Sequence, residues 1–436
     1  MDSSIQGDLC RGLRACGIGK RETHTILNIV TKWVDKSGAE WTVKRIKDLR
    51  QWYESYLTGH PSPPVWFKHT KEGLPIGIWN YVFKLPTSKA LGALSVSTVF
   101  YNRTASDSQK EKFEYGIAGN GLVNEAECGK ILEIAKSHRK LLYFGMLPSR
   151  FSQKKRMVSG HYRVVMPHLQ SATILDMVGS CPIKNGHKTI RPENLLSKAG
   201  KALKDSWDSV PQVTIEFLTR SGQAGYLPPT IVEKLYGPWN QNYFITRFDT
   251  NVGKVTCLQE AEFKGRWIAN PNRVTQKTLD PLKTVYMETA LSLVTDCTED
   301  QESGKLWVQN QLKQGIELAG SDMTSASDLL SLEQSLKLVD EIFGFPRIKG
   351  YDAYRKYFIE VSRSSWYCKD LGTTVRWQQG DPLGTGPSFG LLTLTNNCIA
   401  AVAYAMALED GVLPPNLRVA DSFRVIGDDV VMRSEI

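Results

Sequence analysis

The run Gly380-Asp381-Pro382-Leu383-Gly384-Thr385-Gly386-Pro387-Ser388-Phe389-Gly390-Leu391-Leu392-Thr393-Leu394-Thr395-Asn396-Asn397 restricts the fold more than any other part of the chain. A Gly/Pro loop opens a long apolar helix that the composition extends to about Leu408. Ser388, Thr393 and Asn397 follow at steps of five and four residues, so on a helix their polar groups point roughly together. Polar groups buried on an otherwise apolar helix need hydrogen-bond partners. A sugar hydroxyl from a bound ligand supplies one set of partners. Capping by Ser388 and local back-bonding by Thr393 supply another, and the residues alone leave both open.

Two acidic blocks flank this helix. In Gly320-Ser321-Asp322-Met323-Thr324-Ser325-Ala326-Ser327-Asp328 an apolar approach leads to Asp322 at a strand end. A helical pattern follows at Leu329, Leu332, Leu336, Val339 and Phe343, with Asp328 at its start. A strand-end carboxylate offers a hard oxygen ligand of the kind Mg²⁺ takes, while a turn residue and a dipole-favoured helix start explain the same two residues without a metal. In Phe423-Arg424-Val425-Ile426-Gly427-Asp428-Asp429-Val430-Val431-Met432 two β-rich runs surround a tight turn. Adjacent carboxylates at a turn repel each other unless a cation neutralises them. A further block, Glu262-Phe263-Lys264-Gly265-Arg266, puts two cations at i and i+2, on one side of a strand. Such a pair can hold a triphosphate, or simply be solvated.

Composition bounds the rest. The 436 residues give roughly three domain-sized units as a prior. Apolar residues at 41% and charged residues at 23% exclude a collagen-like, wholly disordered or disulfide-scaffold chain. Fifty-four basic against 45 acidic residues leave +9, which points to a polyanionic partner. The eight cysteines form no C-x-x-C, so metal-ligand spacing for zinc is absent and a reduced intracellular compartment is the simplest reading. No run of about 18 apolar residues is apparent, so no transmembrane helix is expected. From Ile134 to Thr173 there is no acidic residue, and Lys154, Lys155 and Arg156 sit among aromatics there. A phosphate-tracking surface with aromatic stacking platforms and a solvated basic face both fit. Pro61-Ser62-Pro63-Pro64 reads as a loop, and the Gly-rich spots at Gly17–Gly19 and Gly116–Gly121 read as turns.

Taken in order, the four blocks resemble viral RNA-directed RNA polymerases, closest to the narnavirus, mitovirus and ourmiavirus-like lineage. The resemblance runs from about Gln259 to Met432, roughly 40% of the chain. Lys264 and Arg266 resemble motif F, and Asp322-Met323-Thr324-Ser325-Ala326-Ser327-Asp328 resembles motif A. The Gly380–Asn397 run resembles motif B, and Gly427-Asp428-Asp429 motif C. Pro271, Gln276, Leu279, Pro281 and Leu282 fit the family's stretch after motif F. Asp296-Cys297-Thr298-Glu299-Asp300-Gln301 is similar to its D-G-T-x-D-Q element, with Cys297 in place of glycine.

The resemblance implies an α+β right hand, with an N-terminal region of unclear role at 1–210, fingers at 211–310 and a palm at 311–436, its antiparallel sheet backed by helices. It implies nucleotidyl transfer from NTPs onto an RNA 3′ hydroxyl, serving viral RNA replication. Asp322 and Asp428, with Asp429 as a weaker ligand, would hold two Mg²⁺ ions, Mn²⁺ being the alternative, at the ~3.5–4 Å spacing of two-metal sites. Lys264 and Arg266 would hold the triphosphate. Asp328, Ser388, Thr393 and Asn397 would form the ribose-recognition set. RNA template, RNA product and NTPs are the implied partners, and the host cytoplasm or mitochondrion the implied location. The sequence ends at Ile436, before the family's motif D and thumb, so a truncated record or a second polypeptide supplying them is expected. Two other readings compete: a non-catalytic RNA-binding scaffold with a palm, and a reverse transcriptase. The intact acidic residues oppose the first. Against the second, Ile426 stands where an aromatic residue is usual.

Overall fold

The structure is a computed structural model that describes residues 3–119, 123–147, 180–183, 186–189, 210–221 and 250–436. Lys154, Lys155 and Arg156, with most of the acid-free stretch around them, lie outside the described residues. The chain divides into two compact units, Met1–Gln109 with Cys257–Arg266, and Lys110–Thr256 with Trp267–Ile436. The segment carrying Lys264 and Arg266 therefore folds with the N-terminal helices.

In the first unit, α1 (Ser3–Ala15), α2 (Lys20–Ser37), α3 (Ala39–Leu57), α4 (Ile78–Phe83) and α5 (Thr87–Leu94) surround one core. Leu9 and Leu13, Ile26 and Val30, and Ile46 and Leu49 recur at helical spacing and are all fully buried. The Arg45 guanidinium lies over Trp41 at 4.7 Å and over Trp66 at 4.5 Å. Asp48 accepts from both Arg45 and the Trp66 indole, so the charge is paired as well as stacked. The Pro61–Pro64 segment is irregular, and Gly17, with φ +78°, turns the chain between α1 and α2.

The second unit is α+β, as expected. Its helices are α6 (Asp107–Ile117, from Lys110 onward), α7 (Glu125–Ser137), α8 (Arg139–Met146), α9 (Gln212–Arg220), α10 (Arg273–Thr278), α11 (Asp280–Ser292), α12 (Gln301–Lys313), α13 (Ala326–Leu329), α14 (Leu332–Phe343), α15 (Tyr351–Arg363) and α16 (Gly386–Glu409). A short hairpin pairs β1 (Ser180–Ile183) with β2 (Gly186–Thr189). A four-stranded sheet has the order β4-β3-β6-β7, from β3 (Asn251–Gln259, through Thr256 in this unit), β4 (Gly265–Pro271, from Trp267 in this unit), β6 (Ser365–Cys368) and β7 (Thr373–Val375). A three-stranded antiparallel sheet has the order β5-β9-β8, from β5 (Leu318–Asp322), β8 (Phe423–Ile426) and β9 (Asp429–Arg433).

Helix α16 organises this unit. It packs on α11, α14 and β8 and is apolar on all sides. By length and composition it is long and apolar enough to cross a membrane, a test that a buried core helix also passes. Glycine, serine, threonine and asparagine interrupt its apolar residues, so no unbroken run announces it. The helix is mostly buried inside the unit, as a core helix is. Leu394 is fully buried at its centre. Leu394→Ala should lower the free energy of unfolding by about 2–5 kcal/mol in denaturant titration. A loss near zero would show that α16 is not packed as described.

Candidate active site

The acidic residues meet because of strand register. β5 and β9 run antiparallel from Leu318↔Arg433 to Asp322↔Asp429. Directly opposed residues share a face, with Cβ atoms roughly 5 Å apart. Asp322 and Asp429 thus face the same side, both exposed. Ile426 pairs with Asp429 across a turn made by Gly427 and Asp428, and Gly427 has φ +60°. A positive φ at the first central position only is the pattern of a type II′ hairpin turn, where glycine is favoured. Like charges directly opposite destabilise a strand pair. Sequence reading treated Asp429 as the weaker ligand, yet register makes it the direct neighbour of Asp322.

Helix α16 fixes this hairpin from behind. Asn396 Nδ2 donates to the Gly427 carbonyl at 3.0 Å. On its other edge β8 is bridged by the Asp296-Cys297 element: Val425 N donates to Thr295 O at 2.8 Å and Cys297 N to Val425 O at 2.9 Å. Asp300 caps α12 by accepting from Ser303 N, so this element is structural as well as adjacent. Thr295 Oγ1 donates to Asn397 Oδ1 at 2.6 Å, and Asn397 Nδ2 donates to Thr393 O at 2.9 Å. Asn397 is fully buried, and its amide is engaged inside the fold. Thr393 back-bonds to Phe389 O at 3.0 Å, the local alternative that its sequence had left open. Ser388 is not the helix cap. The Gln276 side chain takes that role, accepting from Gly386 N and donating to Gly384 O.

The remaining sugar-set residues cluster around a loop. Asp328 lies on the single-turn helix α13, and the long helix begins only at Leu332, capped by Ser331. Asp381 N donates to Ser327 O at 2.8 Å. Gly380 permits this approach, because a Cβ there would lie 2.0 Å from Ser327 O. Asp381 Oδ2 and Ser388 Oγ are buried with no well-formed hydrogen bond among the described residues. Burial pushes the Asp381 carboxyl up to about 6, with Asp328 adding repulsion and Ser388 pulling the other way. Burial likewise pushes Asp328 up to about 6, opposed by the Trp377 indole N–H and the Lys112 charge. Arg363 secures the loop: its guanidinium pairs with both Glu333 oxygens at 2.8 Å and donates to Gln379 O at 2.6 Å and Gly380 O at 2.5 Å. Trp377 and Arg363 escaped sequence reading, and Asp381, Asn396 and Gln276 were read only as members of their motifs, without these roles.

Lys264 and Arg266 belong to the first unit. Lys264 precedes strand β4 but is extended, so the two-residue spacing to Arg266 holds. Both are exposed, and Arg266 Nε lies 3.1 Å from Glu260 Oε1. The tip before them has positive φ at Glu262 and Phe263. It is held by Glu262 N donating to Phe100 O at 2.6 Å and by a 2.7 Å ion pair from Lys47 to Glu262.

The donor set suits a hard divalent cation: Asp322, Asp428 and Asp429 offer carboxylate oxygens at one end of a sheet. Among the described residues, no three metal-ligating side chains are already gathered into a cage. A family model described as mitovirus RNA-dependent RNA polymerase matches residues 207–436, just over half of the chain. None of the curated proteins matches.

The raised Asp381 carboxyl makes stability depend on pH. Between about pH 4 and 6 the folded chain keeps a proton there that the unfolded chain has released, so ionisation costs stability as pH rises. Asp381→Asn should match wild type near about pH 4 and exceed it near about pH 8, by at most about 3 kcal/mol in urea unfolding. A difference independent of pH would show that Asp381 is not the titrating group.

Proposed function

The chain belongs to the mitovirus RNA-dependent RNA polymerase family and is an RNA-directed RNA polymerase, a nucleotidyltransferase; from that premise we propose that the sheet end formed by Asp322, Asp428 and Asp429 is its catalytic centre. The observation that carries this is the cross-strand placement of Asp322 opposite Asp429, beside the turn that presents Asp428. The reaction joins the RNA 3′ oxygen to the α-phosphorus of an NTP and breaks the bond to the β-phosphate, releasing pyrophosphate. A pair of divalent cations, Mg²⁺ or in its place Mn²⁺, supplies activation of the attacking hydroxyl and charge neutralisation of the leaving group when bound there.

The other residues bind and orient. Lys264 and Arg266 hold the triphosphate, Arg266 with a planar fork and Lys264 as a point charge. Asp328 and Ser388 read the ribose 2′ hydroxyl, which separates RNA from DNA precursors. Thr393 and Asn397 support that face of α16 from within the fold. Lys154, Lys155 and Arg156 track RNA phosphates. Strand β5 pairs on one side only among the described residues, and a further segment or second polypeptide fits along its other edge.

Asp428→Asn should leave thermal unfolding close to wild type while lowering Mg²⁺-dependent NMP addition to an RNA 3′ end by at least about a hundredfold. Addition at the wild-type rate by that variant would remove Asp428 from the catalytic centre.

A further inference from the structure

Asp328 lies on a helix of four residues, Ala326–Leu329, entered through Ser325 at φ +51° and left through an extended Leu330. One isolated turn does not fix its own side chains, because a helix gains stability only as it lengthens or packs. The tether comes from elsewhere: Trp377 Nε1 donates to Asp328 Oδ1 at 2.9 Å. No other hydrogen bond to the Asp328 carboxylate occurs among the described residues, so Oδ2 stays available to accept from a hydroxyl.

We propose that Trp377 is a positioning residue for ribonucleotide specificity, holding the Asp328 carboxylate so that its second oxygen accepts from the ribose 2′ hydroxyl. This rests on the assignment of Asp328 to sugar recognition.

Trp377 is itself immobilised. It is 2% exposed, and its ring meets Phe113 edge-on at 5.6 Å and Trp366 at 6.0 Å. Its carbonyl accepts from Arg363 at 3.4 Å, the same guanidinium that grips Gln379, Gly380 and Glu333. An indole N–H can only donate, so it specifies an acceptor at Oδ1. Lys112 on α6 is the nearby cation and Asp381 the nearby carboxyl. Both act through charge, whereas Trp377 also sets direction. A site built to bond a hydroxyl rejects the analogue lacking it, provided the acceptor is held in place.

The test measures ATP and dATP affinity for the full chain on a primer–template RNA with uridine as the next templating base. Trp377→Phe keeps an aromatic ring and removes the N–H. It should weaken ATP roughly tenfold and leave dATP unchanged. In an Asp328→Asn background the same substitution should leave the ATP/dATP ratio where Asp328→Asn alone puts it. Equal weakening of both nucleotides, a wild-type ratio, or an added effect in the Asp328→Asn background would overturn the proposal. A wild type that binds ATP and dATP alike would instead overturn the reading of Asp328 on which it rests. Should Trp377→Phe not fold, the indole resonance that moves in Asp328→Asn reports in its place. ATP must shift it and dATP must not, and equal shifts overturn the proposal.

Discussion

Pairing of Leu318–Asp322 with Asp429–Arg433 brings two segments more than a hundred residues apart into one register, ending at Asp322↔Asp429. Because side chains alternate across a strand, a slip of one residue would send Asp322 to the opposite face. Several contacts prevent it. Phe423, Val425 and Val430 are buried on the core side of β8 and β9. Gly427 supplies the positive φ of the turn, Asn396 holds its carbonyl, and Thr295 and Cys297 bond both backbone groups of Val425. The register is thus fixed by packing and backbone bonds, which leaves the carboxylates at its end to face each other despite their repulsion.

The loop before α16 shows the same division of labour. Arg363 and Glu333 hold the carbonyls at 379 and 380, and Gly380 lets that loop touch the backbone of Ser327. The carboxyls of Asp328 and Asp381 are set into this frame at the expense of their ionised forms. A fold optimised for stability alone would place amides or apolar groups there.

The parts legible in the sequence were those with local signatures. The Gly427 turn between β-rich runs, the strand end at Asp322 and the helix to about Leu408, observed to Glu409, each announce themselves by period or turn chemistry. What was missed depends on distance. Arg363 bonds to Glu333 and to the carbonyls of residues 377, 379 and 380, and Gln276 caps a helix more than a hundred residues away, so no neighbouring pattern marks either role. The internal partners of Asn397 were equally out of reach of a local pattern: its amide is satisfied by Thr295 and by Thr393 O. The helix start slipped from Leu329 to Leu332 because the Ser331 cap interrupts an apolar spacing that looks continuous.

Asp322 and Asp429 are directly opposed, at a cost that, under the proposed function, a bound divalent cation relieves. The most direct measurement is thermal unfolding of wild type and Asp322→Asn, each with and without Mg²⁺. Without metal, Asp322→Asn should melt higher than wild type, because the like-charge pair is gone. Mg²⁺ should then raise the wild-type midpoint and leave that of Asp322→Asn nearly unchanged. A metal-free Asp322→Asn that melts lower than wild type, with equal Mg²⁺ responses in both proteins, would contradict the account.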